Sequence, residues 1–195
     1  AEKLGADHLV IHPGSYSPEA TLETGLERIG AALREAFSAV PGRTRVLIEN
    51  MAGGGRRIGG PFSEVGEIVK RAGDDDRMGV CFDTCHAYAA GYDLSHEAGV
   101  GAAMAEFDRE VGLDRIHVFH VNDSAGALNS HRDLHQNLGE GGIGLAGFRA
   151  LFRDPRLAAR ALILETPKLP APDSDLDNLK KLRTCLPARV GDKQR

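Results

Sequence analysis

Four histidines and three carboxylic acids fall within the 28 residues HVFHVNDSAGALNSHRDLHQNLGEGGIG, from His117 to Gly144. Imidazole nitrogen and carboxylate oxygen in one neighbourhood suit zinc, and also manganese or iron. Residues of these two types come late in five short apolar runs along the chain: His12, Glu49, Asp83, His120 and Glu165. The tetrapeptide DTCH adds His86, three residues after Asp83, and the tripeptide DLH adds Asp133 and His135. Eight candidate ligands exceed what one four-coordinate ion can use, so the count points to two or three metals, with a carboxylate such as Glu49 bridging a pair. Clusters of that kind generate a bridging hydroxide and clamp the attacking and leaving oxygens of an in-line phosphoryl displacement; phosphodiester hydrolysis is the reaction that fits. Three divalent cations against the carboxylates of Glu49, Asp83, Asp133 and Glu165 leave a site charge of about +2, which attracts phosphate even to an acidic protein.

The other polar residues carry less. His117 lies an odd number of residues from His120, which predicts a side chain facing the surrounding helices. His8, His96 and His131 read as satisfied or solvated imidazoles, and Arg56, Arg57 and Arg132 as solvated charges at the rim rather than phosphate contacts. Gly139, Gly141 and Gly144 spell a dinucleotide fingerprint, with Glu165 where a ribose-binding acid would stand. A true fingerprint follows a strand directly, however, and NSHRDLHQNL intervenes, so a tight loop beside the metal ligands is the better reading and no organic cofactor is expected.

The elements that must position the ligands repeat. HLVIHPG (8–14), RVLIENM (45–51), MGVCFDT (78–84), IHVFHVND (116–123) and ALILETP (161–167) are strand-length and rich in Val, Ile, Leu or Phe. Segments with helical periodicity separate them, among them SPEATLETGLERIGAALREAF after Ser17 and PFSEVGEIVKRAG, in which Ser63 is the expected N-cap. Strand alternating with helix predicts parallel strands joined by crossover helices. The late polar residues recur at intervals of 37, 34, 37 and 45 residues. A βα unit of a (β/α)8 barrel takes about 30 residues or more, and the barrel gathers its functional groups at the carboxyl ends of the strands. One acid at such a place reads more readily as a cap for the next helix; five in phase read as one mouth. The fold class expected is α/β, a (β/α)8 TIM barrel with about five of its eight units in this chain.

At 195 residues and 42% hydrophobic content the chain can bury a sizeable core. One partial barrel domain is expected over 1–186, with a polar tail over 187–195. AEKLGAD reads as the last turn of a helix, and the three units short of a barrel amount to about 90 residues expected ahead of residue 1. Two unpaired sheet edges and an incomplete first metal site then follow, so the 195-residue chain alone is expected to be poorly stable or weakly active. Cys81, Cys85 and Cys185 are too few and too unevenly placed for a zinc ribbon or a disulfide framework, which favours a reducing compartment, the cytoplasm. No run approaches the roughly 20 apolar residues of a membrane span. A net charge of -4 lacks the overall basic footprint of nucleic-acid binders unless bound cations reverse the sign locally.

Several stretches in order, covering nearly the whole chain, look like one family: HPGS (12–15), IEN around Glu49, GVCFDTCHAYAAGYDL (79–94), HVNDS (120–124), DLH with LGEGGIG, and LETP ending at Pro167. They resemble the endonuclease IV family of apurinic/apyrimidinic endonucleases. The resemblance implies a barrel of the xylose-isomerase-like type holding three Zn2+ ions, with Mn2+ as the alternative. It implies a DNA repair enzyme that hydrolyses the phosphodiester bond 5′ to abasic sites in double-stranded DNA, leaving a 3′-hydroxyl in base excision repair. A cytoplasmic monomer is implied for the complete protein, without membrane association. By motif, His12 and Glu49 bind the first zinc, and Glu49 bridges to a second held by Asp83, His120 and Glu165. His86, Asp133 and His135 bind the third, and Glu49 and Glu165 are the carboxylates nearest the chemistry. The family's further first-zinc histidine and its early DNA-probing loops belong to a part of the pattern ahead of residue 1, and Leu134 stands where the family usually has arginine. Two readings compete: a sugar isomerase of the xylose-isomerase-like barrels, which has no use for the His86, Asp133, His135 trio, and an inactive fragment.

Overall fold

The computed structural model describes residues 1–73, 75–168 and 174–187. The first four apolar runs form β1 (His8–Ile11), β2 (Arg45–Glu49), β3 (Met78–Asp83) and β4 (Ile116–His120). A ribbon of two-residue strands, β5 (Asp123–Ser124) and β6 (His135–Gln136), comes next, and the fifth run forms β7 (Ala161–Ile163). The five longer strands make one all-parallel sheet in the order β1-β2-β3-β4-β7. The helices are α1 (Leu22–Ala39), α2 (Phe62–Ala72), α3 (Thr84–Ala90), α4 (Glu97–Glu110), α5 (Gly144–Leu151), α6 (Pro155–Ala158) and α7 (Ser174–Cys185). Most of the polar tail expected over 187–195 lies outside the described residues.

Strand order follows chain order without reversal, and α1 packs on α2, α2 on α4, α4 on α5 and α5 on α7 in the same sense. A doubly wound sheet would reverse its order and place helices on both faces. Here one large core joins the helices to Ile48, Val80, Phe82, Ile116 and Phe119, while the opposite face buries only Leu47, Cys81 and Val118, with Val10 against them. The sheet is therefore one wall of a (β/α)8 barrel, helices outside and a thin apolar strip inside.

Aromatic packing holds the helix-facing side. Phe82 of β3 lies 5.4 Å from both Phe107 of α4 and Phe119 of β4, Phe62 of α2 lies 5.0 Å from Phe107, and Phe119 lies 5.5 Å from Phe152. All five rings are fully buried, each removing about 1.5–3 kcal/mol worth of apolar surface from water. Because successive side chains on a strand point to opposite faces, burying Phe82 and Phe119 outward turns Asp83 and His120 inward.

Two expectations need correction. Ser63 does not cap α2; the helix starts at Phe62 after Pro61, which has no side chain able to cap it. The first turn is anchored instead by the Tyr92 hydroxyl, which accepts from the Phe62 N–H at 2.9 Å. His117 does not face the helices. The β3–β4 pairing shifts register, Val80 opposing Ile116 but Cys81 opposing Val118, so His117 is the extra residue of a bulge and the odd-even count fails there. Its ring stacks on His8 at 5.9 Å and rests over Gly79, where a Cβ would strike both His117 and the inner-face Leu47.

Candidate metal centre

The strand ends deliver the predicted side chains directly. Glu49, Asp83 and His120 are the last residues of β2, β3 and β4; His12 follows β1 by one residue and Glu165 follows β7 by two. Asp83 also caps α3, one carboxylate oxygen accepting from the His86 N–H at 2.8 Å, which sets His86 in the first turn of that helix. Asp133 arrives on the connection between β5 and β6, and His135 is the first residue of β6.

One ligand atom from each of Glu49, Asp83, His120 and Glu165 lies within 4.8 Å of the others, and the same holds for His86, Asp133 and His135. His120 Nδ1 stands 3.0 Å from Glu49 Oε1 and 3.1 Å from Glu165 Oε2. His12 Nε2 approaches the other Glu49 oxygen at 3.2 Å, so this carboxylate faces two groups with its two oxygens, as a bridge would. In the trio, His86 Nε2 and His135 Nε2 each lie 3.2 Å from a different oxygen of Asp133. His135 Nε2 is also 3.8 Å from Asp83 Oδ2, and His86 Nδ1 is 3.3 Å from Glu49 Oε1, so the two groups adjoin.

The donor chemistry fits a divalent ion. The Nδ1–H groups of His86 and His135 donate to the carbonyls of Asn50 (2.9 Å) and Glu165 (3.1 Å). That tautomer leaves a lone pair on each Nε2, and both Nε2 atoms are buried without a hydrogen-bond partner. In the neutral form two lone pairs and a carboxylate converge, which a divalent cation satisfies, and a backbone carbonyl behind each imidazole is the usual support of a metal-binding histidine. Buried Asn122 adds to this support: its Nδ2 donates to Asp83 Oδ2 at 2.7 Å and its Oδ1 accepts from the Glu165 N–H at 2.9 Å. Asn50 exchanges two bonds with the Asp83 backbone, at 2.8 and 3.0 Å.

Electrostatics mark the same residues. Burial works against the Glu49 carboxylate, yet hydrogen bonds from His120 and His86 outweigh it and hold the pKa down at about 2. Burial would lower the pKa of both imidazoles, but Asp83, Asp133 and Glu49 raise that of His86 to about 11, and Asp133 and Asp83 raise that of His135 to about 9, so without an ion each ring holds a second proton that a bound cation would displace. The two imidazoles hold Asp133 far below the ordinary carboxylate range. Burial pushes Cys81 and Cys85 up, Cys85 to about 11, so thiols beside the carboxylates stay protonated. A cleft of about 430 Å³ opens beside His12 and Asp133, walled by Met51, Arg57, Arg132 and Leu134.

Sequence reading missed the supporting residues. Asn50 and Asn122 follow Glu49 and His120 by one and two positions, a signal that strand-end polar residues come in pairs. Asp123 is fully buried and accepts from the N–H groups of Gly139 and Ile143 at 2.9 Å and of Gly144 at 3.2 Å. The LGEGGIG segment is thus a loop wrapped around a carboxylate: a Cβ at Gly141 would fall against Asp123 and the Ser124 carbonyl, and one at Gly142 against the Tyr88 ring. Arg57 is more than a solvated rim charge, since Nη1 donates to the carbonyls of Gly53 (3.2 Å) and His131 (3.3 Å).

The sequence profile of the xylose isomerase-like TIM barrels matches residues 1–185. The chain belongs to the xylose isomerase-like TIM barrel family. Within that family it is 42% identical over 182 residues to the probable endonuclease 4 of Halothermothrix orenii, covering 93% of this chain and 65% of that protein. It is 46% identical over 187 residues to endonuclease 4 of Thermus thermophilus, covering 95% and 63%. A crystal structure of endonuclease IV from Thermus thermophilus superposes with a TM-score of 0.76 at 42% identity, covering 93% of this chain and 62% of that one. The chain spans just under two thirds of the length of these relatives. Among the described residues no helix is long and apolar enough to cross a membrane.

Proposed function

We propose that this family member serves as a zinc-dependent AP endonuclease, cleaving the phosphodiester 5′ to abasic sites in double-stranded DNA and leaving a 3′-hydroxyl, and that the complete protein works as a cytoplasmic monomer. The observation that carries the reading is the His86, Asp133, His135 trio adjoining the Glu49, Asp83, His120, Glu165 set. A sugar isomerase needs no such second nest of ligands, whereas a phosphodiesterase uses the added positive charge against the phosphate. Relatives above 40% identity named endonuclease 4 point the same way.

In this reading His12 and Glu49 would hold one ion, Glu49 with Asp83, His120 and Glu165 a second, and the trio a third. Zinc bound there would supply a hydroxide nucleophile at neutral pH and positive charge against the phosphate and its leaving oxygen. The chain's own groups do the rest. Glu49 aligns the two sides of the pocket through its two oxygens, and the Asn50 and Glu165 carbonyls keep His86 and His135 in the ligating tautomer. The test is incision of a duplex carrying one tetrahydrofuran abasic analogue, with the chain in excess and zinc either present or chelated. Zinc-dependent cutting 5′ to the analogue is expected, weak for the 195-residue chain alone; a duplex left intact by the complete protein loaded with zinc would refute the reading.

A further inference from the structure

The loop that carries Asp133 is held by contacts that involve no candidate ligand. The N–H groups of Asn129 and His131 donate to the Tyr88 and Ala89 carbonyls at 3.2 and 2.9 Å, at the open C-terminal end of α3. His131 Nδ1–H donates to the Ala52 carbonyl at 2.9 Å, and the His131 carbonyl accepts from Arg57. The polar groups of His131 thus tie its loop to two parts of the mouth, the end of α3 and the connection between β2 and α2. Its backbone has φ +54°, a left-handed conformation that residues other than glycine and asparagine rarely adopt, as does Asn129 at +60°. Opposite it, Gly53 and Gly54 take φ of +70° and +84°, and a Cβ on Gly54 would stand 2.7 Å from His131 Cβ, so the close approach needs glycine on that side.

The helix that receives this loop at its far end carries His86 in its first turn, and Asp133 lies two residues beyond His131. We propose that His131 is a positioning residue for the third metal site: it fixes the register of the Asn129–Asp133 segment against α3 and the Ala52–Gly54 turn, so that Asp133 stands between His86 and His135. The inference rests on the reading that the trio holds zinc. The Ala52 bond and the left-handed turn are the side-chain and backbone features of His131 that, with the Tyr88, Ala89 and Arg57 bonds, set where the Asp133 carboxylate points.

Zinc titration of the 195-residue chain against a chromophoric chelator tests this, with His131→Ala, His131→Gly, His131→Asn and His86→Ala in parallel and melting of the zinc-free chains as the control for folding. His131→Ala should weaken one zinc equivalent about 10–100-fold, as loss of a supporting hydrogen bond does, and leave the others unchanged. His131→Gly tolerates the backbone but lacks the imidazole and should behave the same way. His131→Asn accepts the left-handed conformation and places an N–H where Nδ1 stood, so it should restore the affinity. A His131→Ala chain that melts lower yet holds every equivalent as tightly as the parent overturns the positioning role, provided His86→Ala loses one equivalent. If His86→Ala loses none, the trio does not hold zinc, and the metal reading falls together with the inference.

Discussion

Glu165 has the most exposed side chain of the strand-end carboxylates, at 43% against 2% for Glu49 and none for Asp83, so its charge can be removed with the least damage to packing. Glu165→Gln is expected to lose one zinc equivalent and at least about 100-fold in abasic-site incision while its circular dichroism spectrum stays that of the parent. Retained incision would remove Glu165 from the site. His117 makes the opposite prediction. Burial, with Arg45, His8, Arg160 and Arg115 close by, pushes its pKa down to about 4. The folded chain therefore favours the neutral ring: that contribution to stability is complete above pH about 6.5 and is lost as the pH falls toward 4. For a half-buried ring screened by solvent the loss amounts to at most about 2 kcal/mol. His117→Gln should flatten melting temperature against pH between 4 and 6.5 without changing incision; an unaltered slope would contradict the assignment.

The elements were legible where a local period sets them. Glu49, Asp83 and His120 end their strands because Ile48, Phe82 and Phe119, one residue earlier, are drawn into the helix-facing core. Phe82→Ala should cost about 3–5 kcal/mol in urea unfolding, and because Asp83 is its neighbour it should weaken zinc binding too; a zinc affinity unchanged under native conditions would uncouple core from site. Ser63 and His117 were misread for one reason: each depended on a partner from another element. Tyr92 stands where a capping side chain was expected, and β3 sets the bulge that turns His117 inward. The LGEGGIG glycines read correctly as a loop, but only the fold supplied the Asp123 carboxylate inside it.

At the scale of the molecule, β1 and β7 each pair on one side only among the described residues, and Leu9 and Ile163 on those strands are 44% and 45% exposed. Unpaired strand edges beside exposed apolar side chains invite pairing with another chain. The 195-residue chain should elute from gel filtration later as its concentration is lowered, and elution at the volume of a monomer at every concentration would count against that. Bound ions should also hold the half-barrel together: free zinc at 100 times its Kd stabilises by about 2.7 kcal/mol, so chelation is expected to lower the melting temperature by several degrees. Equal melting with and without chelator would argue against a folded metal centre.

Taken alone, the order of residues determined which side chains end the parallel strands, because side-chain alternation and hydrophobic run length act over a few neighbours. It therefore also determined the barrel-type alternation and the gathering of histidine and carboxylate side chains at the mouth. Tertiary structure alone decided that Glu49 turns its oxygens to two sides, that carbonyls of Asn50 and Glu165 fix the imidazole tautomers, and that His131 ties the Asp133 loop to α3. Those depend on hydrogen bonds between residues 30 to 79 positions apart, and only the packed core brings such groups within reach.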